Sequence, residues 1–320
     1  MHPMRPLLIA TLSVLAFGAM AQDAYPNRPL RIVVPTSPGS GSDTTARFFG
    51  EQLGTALGQP VVIENKPGAN GVIAAMTVKQ APADGYTLFL GTNTHMAVNP
   101  IVVKALPYDA VKDFKFIGGL ARGMMAFVAP SNTKIHNVEE LVAASKAAPA
   151  KLNVGSYTSG FQLSAEWFAS LTNTQLMYIP YKGTPEVFTA LMGNQLDWSV
   201  TDVISALPQV KAGKLKAIAV SGEKRFPDMP DVPTIKESGY PDYVNYTWTS
   251  MVVRADTPDA VTNKLVEALR RILAAPAAKE FATKIGSELM QADPTEMRKF
   301  QLSETERFRR IADVAGIKPQ

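Results

Sequence analysis

A chain of 320 residues, 46% hydrophobic and 19% charged, can bury one large α/β core or two smaller ones, and its composition is neither disordered nor fibrous. It contains no cysteine, which excludes disulfides, thiol catalysis, iron–sulfur clusters and cysteine-ligated zinc. The net charge of +4 is too small and too dispersed for a nucleic-acid surface, and no Lys/Arg run with interleaved aromatics occurs.

Residues 1–21 read as a cleavable export leader: Arg5 precedes the apolar stretch Pro6 to Met20, and Ala19-Met-Ala21 places small residues where a signal peptidase cuts, after Ala21. The first β-rich run, Leu30 to Pro35, leads into the loop Pro35-Thr-Ser-Pro-Gly-Ser-Gly-Ser-Asp43. A helical stripe of Ala46, Phe49, Leu53 and Leu57 follows it. Further strands are expected at Pro60 to Glu64, Tyr86 to Gly91, Met124 to Ala129, Leu152 to Ser156 and Leu176 to Tyr181. Others are expected at Leu196 to Thr201, Leu215 to Ser221 and Tyr246 to Val253. Several are continuous apolar runs, as strands covered on both faces should be. A second polar loop, Ser156 to Ser164, precedes a helix expected from Ala165. Val261, Leu265, Leu269 and Ile272 form another stripe. Asp293-Pro294-Thr295-Glu296 reads as a capping box that opens a final helix ending near Gly316.

This alternation predicts an α/β fold with parallel sheets. Two stretches, Gly118 to Gly123 and Asp242 to Trp248, read as crossovers between domains. The chain then divides into residues 22–122, 123–244 and a return over 245–320. That makes two doubly wound α/β domains joined by two crossover strands, with a ligand cleft between them.

Gly39-Ser-Gly41 loosely mimics a dinucleotide fingerprint, but Thr44 stands at the third glycine position and Thr36-Ser-Pro38 intervenes after the strand. No Gly-Lys-Ser/Thr follows for a phosphate loop. The residues do allow an anion site of backbone amides, with Ser42 or Asp43 capping the helix and its free N–H groups facing a carboxylate. A plain Gly/Ser turn with an N-cap remains equally open. The second loop has the same design, and Phe161 in it offers a ring to a ligand or packs beneath the loop. Candidate ligand-binding residues are therefore Thr36, Ser37, Gly39, Ser40, Gly41, Ser42, Asp43, Thr92 and Asn93 from the first half. The second half offers Ser156, Thr158, Ser159, Gly160, Phe161, Gln162, Tyr181 and Asp202. Asp202 can accept from a hydroxyl, an ammonium or a water, or can simply cap the next helix. An exported hydrolase is the competing class, yet no Gly-x-Ser-x-Gly elbow exists and only His95 and His136 follow the leader. Two isolated histidines without carboxylate spacing predict no metal site, and no cofactor is expected.

An ordered series of short motifs resembles the extracytoplasmic solute receptors of the tripartite tricarboxylate transporters, the Bug or TctC-like proteins. It begins with Tyr25-Pro26, Val34-Pro35, Pro38-Gly39, Asp43 and Gly58-Gln-Pro-Val-Val-Ile-Glu-Asn-Lys-Pro-Gly-Ala69. Ala83-Asp-Gly-Tyr-Thr-Leu88, Leu106-Pro-Tyr-Asp109, Lys112-Asp-Phe114, Ile179-Pro-Tyr-Lys-Gly183, Ala212-Gly-Lys-Leu-Lys216 and Pro230-Asp-Val-Pro-Thr234 complete it. The resemblance spans Tyr25 to Lys318. It implies a monomeric type II periplasmic binding protein, not an enzyme, that closes on a small organic acid and delivers it to membrane transporter subunits. It also implies that loops Thr36 to Asp43 and Ser156 to Ser164 hold the carboxylate, with water bridges. Two positions depart from the family: Ser40 replaces a glycine, and Phe161 replaces a small residue. Both lean toward an aromatic mono- or dicarboxylate such as terephthalate, with aliphatic di- or tricarboxylates and acidic amino acids as alternatives.

Overall fold

The computed structural model of the chain describes residues 25–290 and 293–319; the leader expected over residues 1–21 lies outside them. In chain order the elements begin β1 (Leu30–Val34), α1 (Gly41–Leu57), β2 (Val61–Asn65), α2 (Val72–Lys79) and β3 (Thr87–Thr92). A one-turn π-helix (Thr94–Val98) and α3 (Asn99–Val102) lead to the long β4 (Phe114–Pro130). Next come α4 (Val138–Ala147), β5 (Asn153–Ser156), α5 (Ser159–Thr172), β6 (Met177–Pro180), α6 (Thr184–Met192), β7 (Trp198–Asp202), α7 (Val203–Lys211) and β8 (Leu215–Val220). β9 (Tyr246–Arg254), α8 (Asp259–Ala274), α9 (Pro276–Lys284), β10 (Ser287–Leu289) and α10 (Pro294–Val314) close the chain.

The strands run in the order β2-β1-β3-β9-β4-β7-β5-β6, with β8 and β10 also pairing to β4. β1 pairs in parallel with β2 and β3, and β5 in parallel with β6 and β7. Each parallel group is a half of the molecule with helices on both faces. Side chains on successive strand residues point to opposite faces, and the first half uses both. Leu30, Ile32, Leu88 and Leu90 are buried with Phe49 and Leu53 of α1 and Leu265 and Leu269 of α8. Val33 and Phe89 belong instead to the cluster holding Ala74 and Val78 of α2. In the second half Phe127 stacks on Trp198 with centroids 5.6 Å apart, and Phe168 of α5 meets the edge of Phe127 at 5.2 Å.

The two halves share β4. Its first part, from Phe114 to Met124, pairs antiparallel with β9, whereas Met125 to Pro130 pair with β7 and β8. Register shifts fall between Phe116 and Gly118, at the edge of the stretch read from sequence as a crossover, and between Gly119 and Ala121, inside it. Such bulges bend and twist a strand, and glycine admits them. The two-domain α/β architecture with two crossover strands is thus present, and β4 is longer than the Met124 to Ala129 strand the sequence suggested. Asp293 caps α10 by accepting the Glu296 N–H at 2.9 Å. The reciprocal arm of the capping box is absent, since the Glu296 carboxylate pairs with Lys299 at 3.2 Å.

Candidate functional site

β1 ends at the mouth of a cleft, and the chain turns there through Gly39, whose φ of +83° suits only a residue without a Cβ. Helix α1 starts at Gly41, two or three residues earlier than a cap at Ser42 or Asp43 would give, and its cap is Ser40, neither Ser42 nor Asp43. The Ser40 hydroxyl accepts the Asp43 N–H at 3.4 Å and shares a 2.5 Å hydrogen bond with the Thr36 hydroxyl. Asp43 holds the loop from inside: one oxygen accepts from Gly39 N–H at 2.9 Å and Arg47 Nε at 2.8 Å, the other from Asn65 Nδ2 at 3.0 Å. Burial alone would raise its carboxyl, but the bonds from Arg47, Gly39 and Asn65 outweigh it and hold the group below its ordinary range. The Gly39 amide is therefore occupied. The amides of Gly41 and Ser42, which line the cleft, have no intrahelical acceptor.

The end of β3 forms the next wall. Thr92, Asn93, Thr94 and His95 all border the cleft. The His95 ring is fully buried, and its Nδ1 accepts the Thr92 N–H at 3.3 Å. Nε2 then carries the proton; it finds no partner and points at Gly71, where a Cβ would fall 2.0 Å away. Burial pushes the imidazole down to about 3, so the ring is neutral. Facing this wall, α5 starts at Ser159 behind the N-cap Thr158, whose side chain makes no capping bond. The first amides of α5 thus have no intrahelical acceptor, and Thr158 and Phe161 bring this helix end to the border of the cleft. Its start is earlier than the expected Ala165, so Gly160, Phe161 and Gln162 are helical. The Phe161 ring lies against Tyr157, centroids 4.6 Å apart, and both rings line the cleft. At the end of β7, Asp202 caps α7 by accepting the Ser205 N–H at 2.8 Å, and its other oxygen accepts the Tyr157 O–H at 2.9 Å. Its carboxylate packs on Gly41 across the cleft, where a Cβ would fall 2.4 Å from it. β4 and β9 supply the back wall. There the Trp248 indole donates to Glu304 of α10 at 3.3 Å.

The cavity left between these walls is about 40 Å³. It brings together Thr36, Ser40, Gly41, Ser42, Thr92, Asn93, Thr158, Phe161 and Asp202 of the sequence candidates. Ser37, Gly39, Asp43, Ser156 and Gly160 support the walls without lining them. Ser159 and Gln162 border a separate depression with Asn70 and Lys318. The Tyr181 ring packs partly buried against the core, and Lys182 is exposed. Sequence reasoning missed Thr45, Thr94, Tyr157, Ile204 and the whole back wall of Ala121, Gly123, Thr247, Trp248, Thr249 and Ser287. Tyr157 sat inside the second loop and was readable; Ser287 arrives from β10, a three-residue strand with no periodicity to show it. No Lys or Arg lines the cleft, and among the described residues no cluster of three or more His, Asp or Glu could hold a metal.

Two α/β lobes joined by paired strands, with helix N-termini from both lobes facing one cleft, define the solute-binding class of protein. Residues 45–317 match the family described as "Tripartite tricarboxylate transporter family receptor", TctC, and the chain belongs to it. Its family and its solved relatives are receptors, and the chain is a receptor rather than an enzyme. It is 34% identical to a UPF0065 protein of Bordetella pertussis over 315 residues, which is 98% of this chain and 97% of that one. Among solved structures, the periplasmic binding protein BugD is 31% identical with a TM-score of 0.88, covering 92% of this chain and 100% of its own. An R. palustris protein solved with adipate is 29% identical, with a TM-score of 0.89 and the same coverages.

Proposed function

We propose that the protein is exported to the periplasm, losing residues 1–21, and that as a monomer it closes around a small organic carboxylate. It then presents the closed, loaded form to the membrane subunits of a tripartite tricarboxylate transporter. The observation that carries this is a cleft bordered by helix N-termini from both lobes, α1 and α5, with no Lys or Arg in its lining. Backbone amides and helix-end partial charge hold an anion without a cationic side chain. The lobes divide near residues 122 and 245, where the crossover strands run.

The Phe161, Tyr157 and Trp248 rings favour a ligand with a flat apolar body, for which terephthalate is a representative. Ser40 no longer contributes to that preference, because its hydroxyl already serves Asp43 and Thr36. Adipate in the R. palustris relative supports an aliphatic diacid as the alternative. A thermal-shift screen of the leaderless protein against aromatic and aliphatic acids tests the reading. A ligand present at 100 times its Kd adds about 2.7 kcal/mol and raises the unfolding midpoint. A midpoint raised by sugars or metal ions and by no carboxylate overturns it.

A further inference from the structure

Asp202 is the only carboxylate among the cleft-lining residues, and it is 6% exposed. We infer that it selects a carboxylic acid that also carries a hydrogen-bond donor, a hydroxyl or an ammonium, at the end facing β7. This rests on the receptor reading above and narrows it.

Four observations carry it. Each Asp202 oxygen has one protein donor, Ser205 N–H for one and Tyr157 O–H for the other. A carboxylate offers about four acceptor positions, so about half remain open. The neighbouring hydroxyls of Thr201 and Ser205 are buried without a partner and do not fill them. No Lys or Arg reaches the cleft, and Asp202 forms no ion pair among the described residues. A buried carboxylate without a cation is held by the N-termini of its own helix α7 and, across the cleft, of α1 at Gly41. The positive end of α1 thus already faces one anion. A ligand carboxylate placed beside Asp202 would meet a like charge in a site that excludes water. A hydroxyl or ammonium there completes the acceptor set instead. The ligand carboxylate then belongs at the other helix end, beside Thr158 and the first amides of α5.

The test is calorimetric titration of matched probes: succinate against malate and aspartate, and terephthalate against 4-hydroxybenzoate. The donor-bearing member of at least one pair should bind at least about tenfold tighter than its partner, as expected for a bond to a charged group. Malate separates the hydroxyl source from aspartate, the ammonium source. Asp202→Asn keeps a good N-cap, and its unliganded unfolding midpoint reports that the fold survives. That variant should lose the donor-bearing probe by about tenfold and gain affinity for the plain diacid. Plain diacids that bind as tightly as their donor-bearing partners overturn the inference and leave the receptor reading standing, as does a variant that shifts both members alike. If no acid of either pair binds, the carboxylate reading fails and takes this inference with it.

Discussion

Burial of the His95 imidazole makes the protein sensitive to mild acid. The folded state keeps the ring neutral down to about pH 3, whereas the unfolded chain takes up a proton below about pH 6.5. The unfolded state therefore binds more protons between these values, and stability falls as pH drops below 6.5. By pH 5 the loss from this one residue is about 2 kcal/mol. Urea unfolding at pH 7 and pH 5 should show that loss in the parent, and His95→Gln should abolish most of it. Equal pH dependence in both would mean that the ring is hydrated in solution. Asp43 has the opposite sign. Its lowered carboxyl pKa contributes stability that is present above the unfolded value of about 3.9 and is lost as pH falls through the folded one, outside the window used for His95.

At the scale of elements, Ser40 shows what the sequence carried and what it did not. The strand, polar loop and helix were legible from a β-rich run, a Gly/Ser cluster and an apolar stripe. Which residue capped the helix was not, because Ser40, Ser42 and Asp43 are all good caps and only the backbone turn at Gly39 selects among them. Ser40→Gly, which restores the family residue, removes the bonds to Asp43 N–H and Thr36. It should cost roughly 1 kcal/mol of stability and change ligand affinity by less than about threefold, since the hydroxyl already has protein partners. A tenfold affinity change in titration calorimetry would instead place that hydroxyl on the ligand. The first part of β4 escaped for a different reason. Gly118, Gly119 and Gly123 interrupt its apolar pattern, so the sequence there reads as a connection while the structure uses it as a bulged strand. The starting point of α5 escaped because Ser159 and Gly160 have loop composition. The family motifs were legible as a series yet sit mostly away from the cleft. Tyr25 donates to the Gly85 carbonyl at 2.8 Å, and Tyr108 to that of His95 at 2.9 Å. They brace the fold, which is why they identify the family without naming its ligand.

For the whole molecule, the lobes touch through contacts that exist only when the cleft is narrow. Ser37 donates to Glu186 at 3.1 Å, the Thr94 and Thr158 hydroxyls lie 3.1 Å apart, and Ser159 donates to Asn99. Gly160 is the tightest of these approaches. A Cβ there would fall 2.3 Å from Thr94 Oγ1, 3.3 Å from Asn93 Nδ2 and 3.4 Å from Thr94 Cβ. Thr94 and Asn93 are each 2% exposed, so neither has room to retreat. Within its own lobe Gly160 is helical, where alanine is the better residue by about 1 kcal/mol. Gly160→Ala should therefore leave the unliganded unfolding midpoint unchanged or slightly higher, yet oppose closure. A ligand stabilises the closed form only by its differential affinity for it. Overpacking that form by about 1–3 kcal/mol should weaken binding roughly tenfold to a hundredfold, mostly through faster dissociation. Small-angle scattering should show the same variant remaining extended at ligand concentrations that compact the parent. Unchanged affinity and unchanged compaction would mean that the ligand is held in a more open arrangement of the lobes than the one described.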